Sequence, residues 1–116
     1  MASRREEQQE DVRLRVMRLI NGNPELSSRQ VADQVGISNG SAYYVLSALV
    51  EKGFVKLGNF TRNRKKSHYA YLLTPSGIRE KTILTQEFII RKRMEYEDLK
   101  TEIEILESEL DVSRNA

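Results

Sequence analysis

Two short apolar patterns joined by a glycine constrain this chain more than any other feature. In the first pattern, Val31 and Val35 are four residues apart and Gly36 follows directly. Apolar residues at this spacing share one face of a helix, and a glycine after the last of them favours a left-handed helix end. The second pattern has helical spacing throughout and consists of Ala42, Val45, Leu46, Leu49 and Val50. The segment therefore predicts two helices joined by a tight turn, with Ile37 filling the angle between them.

Further elements are expected on both sides of this segment. Apolar residues at helical spacing predict a helix over residues 5–20, which ends in a turn rich in Asn, Gly and Pro. After the second helix of the pair, β-prone runs at residues 54–57 and 68–73 flank a polar loop that starts at Gly58. Two such runs around a loop predict a β-hairpin. Thr74 is then expected to cap a following helix, with proline in its first position.

The last part of the chain reads as one long helix, about residues 75–112, with no proline or glycine after Gly77. It carries a heptad seam that Lys92 interrupts. The seam residues, which we predict to mediate dimerisation, are Ile89, Tyr96, Leu99, Ile103, Leu106 and Leu110. Because the stretch is otherwise acidic, a partner helix must cover this seam. A second copy of the chain is the simplest partner. The alternative is that the seam folds back on the first helix of its own chain.

Together these elements predict an α+β fold that is mostly α. Residues 8–74 are expected to form a winged helix-turn-helix domain with a two-stranded β-hairpin as the wing. Residues 75–112 are expected to form a coiled-coil-like dimerisation arm. The composition agrees, because 39% hydrophobic and 31% charged residues suit a lean core joined to a heavily charged helix.

Charge is distributed unevenly along the chain. Residues 1–94 hold 17 Lys and Arg against 9 Asp and Glu, whereas residues 95–116 hold 2 against 8. Between Lys52 and Arg79 there are seven basic residues and no acidic one. This asymmetry suggests a basic body that faces a polyanion and an acidic tail kept away from it. A solvated surface of mixed charge is the alternative, and charge alone does not separate the two interpretations.

Several classes of site are not expected. The chain has no cysteine, so disulfides and thiolate metal sites are excluded. His68 is the only histidine and has no clustered carboxylates beside it, so neither a metal site nor a catalytic triad is predicted. No apolar run approaches the roughly 18 residues of a membrane-spanning helix. We therefore expect a cytoplasmic protein that is not an enzyme, with no cofactor, metal or membrane partner.

A helix-turn-helix places its second helix in a DNA major groove, which makes residues 39–52 the expected recognition helix. The side chains on its outward face and at its start that can hydrogen-bond to bases or phosphates are Ser38, Asn39, Ser41, Tyr43, Tyr44 and Ser47. An alternative makes one tyrosine, Tyr43 before Tyr44, a core residue with a solvated hydroxyl. No Arg or Lys lies on this face, so DNA shape is expected to contribute to specificity.

The hairpin tip, residues 60–67, supplies cations that the recognition helix lacks. A cationic loop in this position fits a wing that follows the DNA backbone or enters a minor groove. Taken alone, such a loop is more commonly just solvated. The wing candidates for DNA contact are Arg62, Asn63, Arg64, Lys65 and Lys66. Arg29, at the start of the second helix, is a further candidate for a phosphate contact.

The segments that bear on a known family are residues 23–27, residues 31–38, the run ALVEKGFV at 48–55, and the run YAYLLTP at 69–75 followed by a long charged helix. Over residues 10–110 the chain resembles the MarR-type winged-helix regulators. It is most similar to the small subgroup of EPS-associated (exopolysaccharide-associated) transcriptional regulators.

The resemblance implies DNA binding by the third helix and the wing, a homodimer, and regulation near polysaccharide-synthesis genes. Longer MarR-type proteins build their dimer and a ligand crevice from extra terminal helices, so here the tail after Gly77 is expected to form the dimer. We therefore expect a sequence-specific regulator of double-stranded DNA, a repressor where its operator overlaps a promoter. A small-molecule effector is left open. The alternative is a winged-helix module whose basic face meets a protein or RNA.

Overall fold

The computed structural model describes residues 3–59 and 69–115 of the 116-residue chain. In chain order the elements are α1 (Arg4–Gly22), α2 (Ser28–Val35), α3 (Asn39–Glu51), β1 (Val55–Asn59), β2 (Tyr69–Leu73) and α4 (Pro75–Asn115). The two strands form an antiparallel sheet in which Val55 faces Leu73 and Gly58 faces Ala70. The predicted fold class is confirmed: the described chain is mostly helical, with a winged helix-turn-helix, a hairpin and a long last helix.

Helix α1 supplies much of the core. Its N-cap is Ser3, whose hydroxyl accepts the Glu6 amide at 3.1 Å. One face of the helix is buried and presents Leu14, Val16, Met17 and Ile20. Arg15 ties α1 to the next helix, because its guanidinium donates to the Val35 carbonyl at 2.8 Å. This bond satisfies a carbonyl at the C-terminal end of α2 that has no partner within the helix.

The turn between α2 and α3 has the geometry that the sequence predicts. Ser27 and Gln30 form a reciprocal capping box at the start of α2, with bonds of 2.9 and 3.2 Å. Gly36 ends the helix at φ 83°, in the left-handed region where a side chain would be strained. The Gly36 and Ile37 amides both donate to the Ala32 carbonyl, at 2.8 and 3.1 Å. The turn is thereby closed, and Ile37 is half-buried in it.

Helix α3 begins after Ser38 and ends one residue earlier than predicted, because Lys52 is its C-cap. Three residues of its apolar stripe, Ala42, Leu46 and Leu49, are buried against the rest of the domain. The other two residues of the predicted stripe, Val45 and Val50, are only half-buried. The helix therefore has a narrower buried face than its sequence pattern indicates.

The hairpin differs from the prediction in its bounds. Strand β1 starts at Val55 and continues through Gly58 to Asn59, two positions that the sequence pattern assigned to the loop. Pairing extends this far because a β-ladder is made by backbone groups and needs no apolar side chain at every position. Gly58 suits its place, since a Cβ there would come within 3.0 Å of the Leu72 side chain.

A dense junction joins the end of α3 to the start of α4. The Thr74 and Ser76 hydroxyls both donate to the Gly53 carbonyl, at 2.6 and 3.0 Å. Thr74 also accepts the Gly77 amide at 3.0 Å, which confirms it as the cap of α4. Gly77 packs directly on the Phe54 backbone, and a Cβ at this position would overlap the Phe54 carbonyl oxygen. We call these five residues the α3–α4 junction.

The chain divides into two compact units, Met1–Thr85 and Gln86–Ala116. The first unit contains α1 to β2 and the beginning of α4, where Gly77 and Leu84 are buried. The second unit is the rest of α4, which runs to Asn115 and thus beyond the predicted end at residue 112. From Lys92 onward, every described residue is exposed.

Candidate nucleic-acid interface

The outward face of α3 is open to solvent. Tyr43 is 65% exposed and Tyr44 is 75% exposed, so neither tyrosine is a core residue and that alternative is wrong. Asn39 and Ser47 are exposed on the same helix. These side chains offer both donors and acceptors, the groups that read base edges and phosphates. Their contact with DNA stays a prediction.

The N-terminal end of α3 is organised by a serine pair. Ser38 is the N-cap and accepts the Ser41 amide at 3.1 Å, while its own hydroxyl donates to the Ser41 hydroxyl at 2.8 Å. Part of the hydrogen-bonding capacity that we assigned to DNA is therefore used within the helix. The Ser41 hydroxyl keeps its own proton as a donor, and both serines remain exposed. Their geometry fixes the start of the helix that is predicted to enter the groove.

Arg29 lies in the first turn of α2, next to the capping box. It is exposed, so its guanidinium is available to a phosphate outside the domain. Backbone amides at a helix N-terminus attract anions, and a cation at the same end adds to this attraction. The predicted role of Arg29 is compatible with its position, and no contact in the described chain opposes it.

Sequence reasoning missed a groove between α1 and α3. This groove has a volume of about 1050 Å³ and is lined on the α3 side by Ser41 and Tyr44, among others. On the α1 side it is lined by Arg5 and Arg13, which bring cations beside a helix face that has none of its own. The signal was present in the sequence, because Arg5, Gln9 and Arg13 recur every four residues and therefore share one face of α1.

The wing strand β2 lies close to the recognition helix at its base. Burial raises the pKa of the Tyr71 hydroxyl above its ordinary value, and the nearby Tyr43 hydroxyl adds to the rise. The Tyr71 amide donates to the Pro24 carbonyl at 3.1 Å, which ties β2 to the turn after α1. The base of the hairpin is thus tied to the turn that follows α1. The predicted wing contacts, Arg62, Asn63, Arg64, Lys65 and Lys66, together with His68, lie outside the described residues.

The second unit presents the predicted dimerisation seam to solvent. Exposed fractions are 45% for Ile89, 63% for Tyr96, 56% for Leu99, 52% for Ile103, 52% for Leu106 and 60% for Leu110. Apolar side chains repeating at heptad spacing and exposed to this degree are typical of a surface that another helix covers. Their role in dimerisation stays a prediction.

The described residues hold neither a metal-binding cluster nor a membrane-spanning helix. Among residues 3–59 and 69–115, no cluster of three or more His, Cys, Asp or Glu side chains could hold a metal ion. No helix in the same residues combines the length and the apolar character needed to cross a bilayer.

Known proteins resemble this chain in sequence and in fold. Residues 9–56, which span α1 to the start of β1, match the family described as winged helix-turn-helix DNA-binding. A comparison with curated proteins found no match.

Solved structures of transcription regulators have a similar fold. The PcaV transcriptional regulator from Streptomyces coelicolor is 15% identical, with a TM-score of 0.64 over 90% of this chain and 79% of that one. A MarR/EmrR family transcriptional regulator from Acinetobacter sp. ADP1 is 18% identical, with a TM-score of 0.63 over 89% and 74%. The transcriptional repressor CouR, bound to a 23-mer DNA duplex, is 19% identical, with a TM-score of 0.53 over 63% and 50%.

At these identities the structural likeness describes the fold. The match over residues 9–56 covers most of α1 and all of α2 and α3, including the exposed tyrosines and the groove residue Arg13. Residues 9–56 therefore match the winged helix-turn-helix family model, and the described chain has a winged-helix fold similar to that of the MarR/EmrR family regulator.

Proposed function

We propose that this chain is a transcriptional regulator that binds double-stranded DNA with sequence specificity. Helix α3 enters the major groove, and the wing at residues 60–67 follows the backbone or enters the minor groove. The observation that carries the proposal is the outward face of α3, where Tyr43, Tyr44 and Ser47 are exposed on a helix whose opposite side is buried.

The α1–α3 groove extends the proposed interface. Arg5 and Arg13 line the same groove as Tyr44, so they place two positive charges beside the polar face of α3. Lys and Arg contacts to phosphates supply most of the sequence-independent affinity of a DNA-binding protein. In this proposal, α3 reads base edges while the α1 arginines, Arg29 and the wing neutralise the backbone on either side.

The tail of α4 makes the regulator a homodimer in this proposal. Its exposed seam is covered by the same seam of a second chain, and the pair then binds two half-sites of an operator. The family likeness adds support, because MarR-type regulators share this winged-helix fold. The acidic character of the tail keeps it away from DNA phosphates.

The proposed regulation is repression, by occupancy of an operator that overlaps a promoter. The neighbour bound to a DNA duplex is a repressor with the same fold, which supports this sign of regulation. The sequence resemblance to the exopolysaccharide-associated subgroup, carried by the run at residues 69–75, suggests polysaccharide-synthesis genes as targets. Binding sites mapped across the genome of the source organism would lie upstream of such genes; sites scattered without relation to promoters would contradict this assignment.

A titration of the full chain against a random duplex at several salt concentrations tests the backbone contacts. Affinity falls steeply with salt if phosphates are contacted. The double variant Lys65→Ala and Lys66→Ala is expected to lower the salt slope by about two. The matched control, Arg18→Ala with Arg79→Ala, removes the same charge from exposed positions outside the interface and keeps the slope. No binding at low salt, or tighter binding to duplex RNA, contradicts the proposal.

Selection of bound sequences from a random duplex library tests base recognition. The expected result is a motif with two-fold symmetry. The variant Ser47→Ala is expected to relax the motif at one position per half-site, losing about 1 kcal/mol of discrimination, with an unchanged salt slope. A library that yields no motif would show that the chain binds DNA without an operator.

Two isoleucines of the tail provide a matched pair for the dimer. Ile103 lies on the seam and is 52% exposed, whereas Ile105 lies off the seam and is 54% exposed. In sedimentation equilibrium at several concentrations, Ile103→Ser is expected to weaken the dimer by about tenfold or more. Ile105→Ser is expected to leave it unchanged. Equal effects of the two substitutions, or a wild-type chain that sediments as a monomer, contradict the proposed dimer.

A further inference from the structure

We propose that the tails of two chains form a parallel, in-register, two-stranded coiled coil. This inference rests on the homodimer of the proposed function and adds the direction and alignment of its helices. It concerns α4 from Tyr96 to Leu110, where the seam is continuous. The partner surface is the same segment of a second copy.

The heptad register follows from the spacing of the seam. The steps of four, three and four from Leu99 through Ile103 and Leu106 to Leu110 alternate as core positions of a heptad do. Taking Ile103 as position a makes Leu99 and Leu106 position d, and all three side chains are more than half exposed. No described residue of the second unit covers them, so a partner is required.

Leucine at both d positions and isoleucine at the central a position favour two parallel strands. Within the continuous seam, position a holds Tyr96, Ile103 and Leu110, and position d holds Leu99 and Leu106. A β-branched residue at a with leucine at d is the combination that favours a parallel dimer over trimers and tetramers. Tyr96 at position a is compatible with this arrangement, because its hydroxyl can reach solvent at the edge of the core.

The charges beside the seam select the direction. On one side, position g carries only acidic residues, Glu95, Glu102 and Glu109. On the other side, position e is mainly basic and carries Arg93, Lys100, Glu107 and Arg114. In a parallel pair, each g residue faces the e residue five positions later on the partner. Glu95 then faces Lys100 of the partner subunit, and Glu109 faces Arg114 of the partner subunit.

An antiparallel pair has less favourable charges. In that arrangement g faces g and e faces e, so the three glutamates of position g meet glutamates of the partner at every step. Like charges on facing positions of two paired helices repel each other. In a parallel pair, Glu102 opposite Glu107 of the partner subunit is the one repulsive contact among these positions. The charge pattern therefore favours the parallel direction and leaves one identifiable mismatch.

The surroundings of Lys92 indicate where the contact between the two tails begins. Lys92 occupies a d position, lies 5.1 Å from the centre of the Phe88 ring, and pairs with Glu95 of its own chain at 3.1 Å. The Lys92–Glu95 pair is solvent-exposed and therefore weak, so Glu95 can exchange it for Lys100 of the partner subunit. The packed part of the coiled coil thus starts at Tyr96. Because it spans few heptads, a reversible dimer is expected.

Parallel pairing has a consequence for DNA binding. Both chains enter the coiled coil from the same end, so both winged-helix units are attached to that end. Two half-sites on one operator require two such units to reach the same duplex.

Cysteine cross-linking of the full-length chain tests the direction, and the chain has no cysteine of its own. Ser113→Cys places a thiol at the last d position, which faces its own copy in a parallel pair. It is expected to form a disulfide-linked dimer on mild oxidation. Ser108→Cys, at the outer f position, is the matched control and is expected to stay reduced. A mixed disulfide between Ile89→Cys and Ser113→Cys chains, without the Ser113 homodimer, would overturn the parallel direction.

A charge reversal tests the alignment. Glu107→Lys converts the repulsive contact with Glu102 of the partner subunit into an attractive one at two symmetric positions. Sedimentation equilibrium is expected to show dimerisation about tenfold tighter. In an antiparallel pair with Ile89 beside Ser113 of the partner subunit, Glu107 instead faces Arg93 of the partner subunit. The same variant would then weaken the dimer.

Glu104→Lys makes the same change of net charge at an outer b position and is expected to leave dimerisation within about twofold. Equal tightening by both variants would attribute the effect to net charge and overturn the pairing. If every variant and the wild type are monomeric, the homodimer itself fails. The salt-dependent DNA titration reports on the DNA interface independently of either result.

Discussion

Two leucines of this chain differ widely in exposure. Leu46 in α3 is 1% exposed, whereas Leu106 in α4 is 52% exposed. Both lie on apolar stripes of helical or heptad spacing. The stripe of α3 is covered by α1, α2 and the hairpin within Met1–Thr85, whereas the stripe of the tail has no cover in Gln86–Ala116. The comparison shows that one stripe builds the core of a domain, whereas the other is left exposed within its own unit.

Truncating each leucine to alanine tests how much each stripe contributes to the free energy of unfolding. Leu46→Ala is expected to cost about 3 kcal/mol of the free energy of unfolding, because it leaves a cavity in a packed core. Leu106→Ala is expected to change the stability of the first unit by less than about 0.5 kcal/mol. Urea denaturation at a concentration where the chain is monomeric measures both. Equal losses would mean that the tail is part of the core.

Glycines give a second test of the same contrast. Gly77→Ala is expected to cost about 2 kcal/mol, because its Cβ would meet the Phe54 backbone, which cannot move aside as a side chain end could. A Cβ added at Gly40, in the first turn of α3, would have no heavy atom within 4 Å. Gly40→Ala is therefore expected to stabilise the chain by about 0.5 kcal/mol. Thermal unfolding separates the two. A neutral Gly77→Ala would show that α4 starts in a looser junction.

Hydrogen exchange at different protein concentrations tests whether the tail of α4 is stable without a partner chain. The amides of residues 96–115 are expected to lose protection by about threefold for a tenfold dilution, because their protection depends on dimer formation. The amides of α1 and α3 are expected to exchange at unchanged rates. Protection of the tail that does not vary with concentration would contradict the need for a partner.

Tyr71 gives the smallest expected effect. Its pKa is raised by burial, so the unfolded chain gives up the phenolic proton before the folded chain does. The contribution to stability is complete below the ordinary pKa of 10.0 and is lost as pH rises through that value toward the folded pKa. Tyr71→Phe is expected to flatten the decline of stability above pH 10, because phenylalanine has no proton to lose. An unchanged decline would place the hydroxyl in water.

Local patterns predicted most of the fold. The left-handed Gly36 and the cap at Thr74 each depend on residues within a few positions, and each was found where the sequence indicated. The end of β1 was missed, because pairing at Gly58 and Asn59 is decided by the opposite strand. The close approach of Gly77 to Phe54 was likewise invisible, since it depends on how two distant segments meet.

The candidate site was predicted only in part, for the same reason. The exposed side of α3 follows from its periodicity, so Asn39, Tyr44 and Ser47 could be selected from the sequence. Arg5 and Arg13 were overlooked, because their spacing places them on one face of α1 but does not show that this face lies beside α3. The heptad seam was evident from its spacing, and the structure adds that these side chains are exposed.

The α3–α4 junction has a mechanical consequence. Gly53 follows directly after the C-cap of the recognition helix, and two hydroxyls from the first residues around α4 hold its carbonyl. A torque applied to the beginning of α4 therefore reaches the exit of α3 through two short hydrogen bonds and a backbone contact with no side chain between to absorb it. A substitution that opens this junction is therefore expected to loosen the connection between the head of α4 and the end of α3.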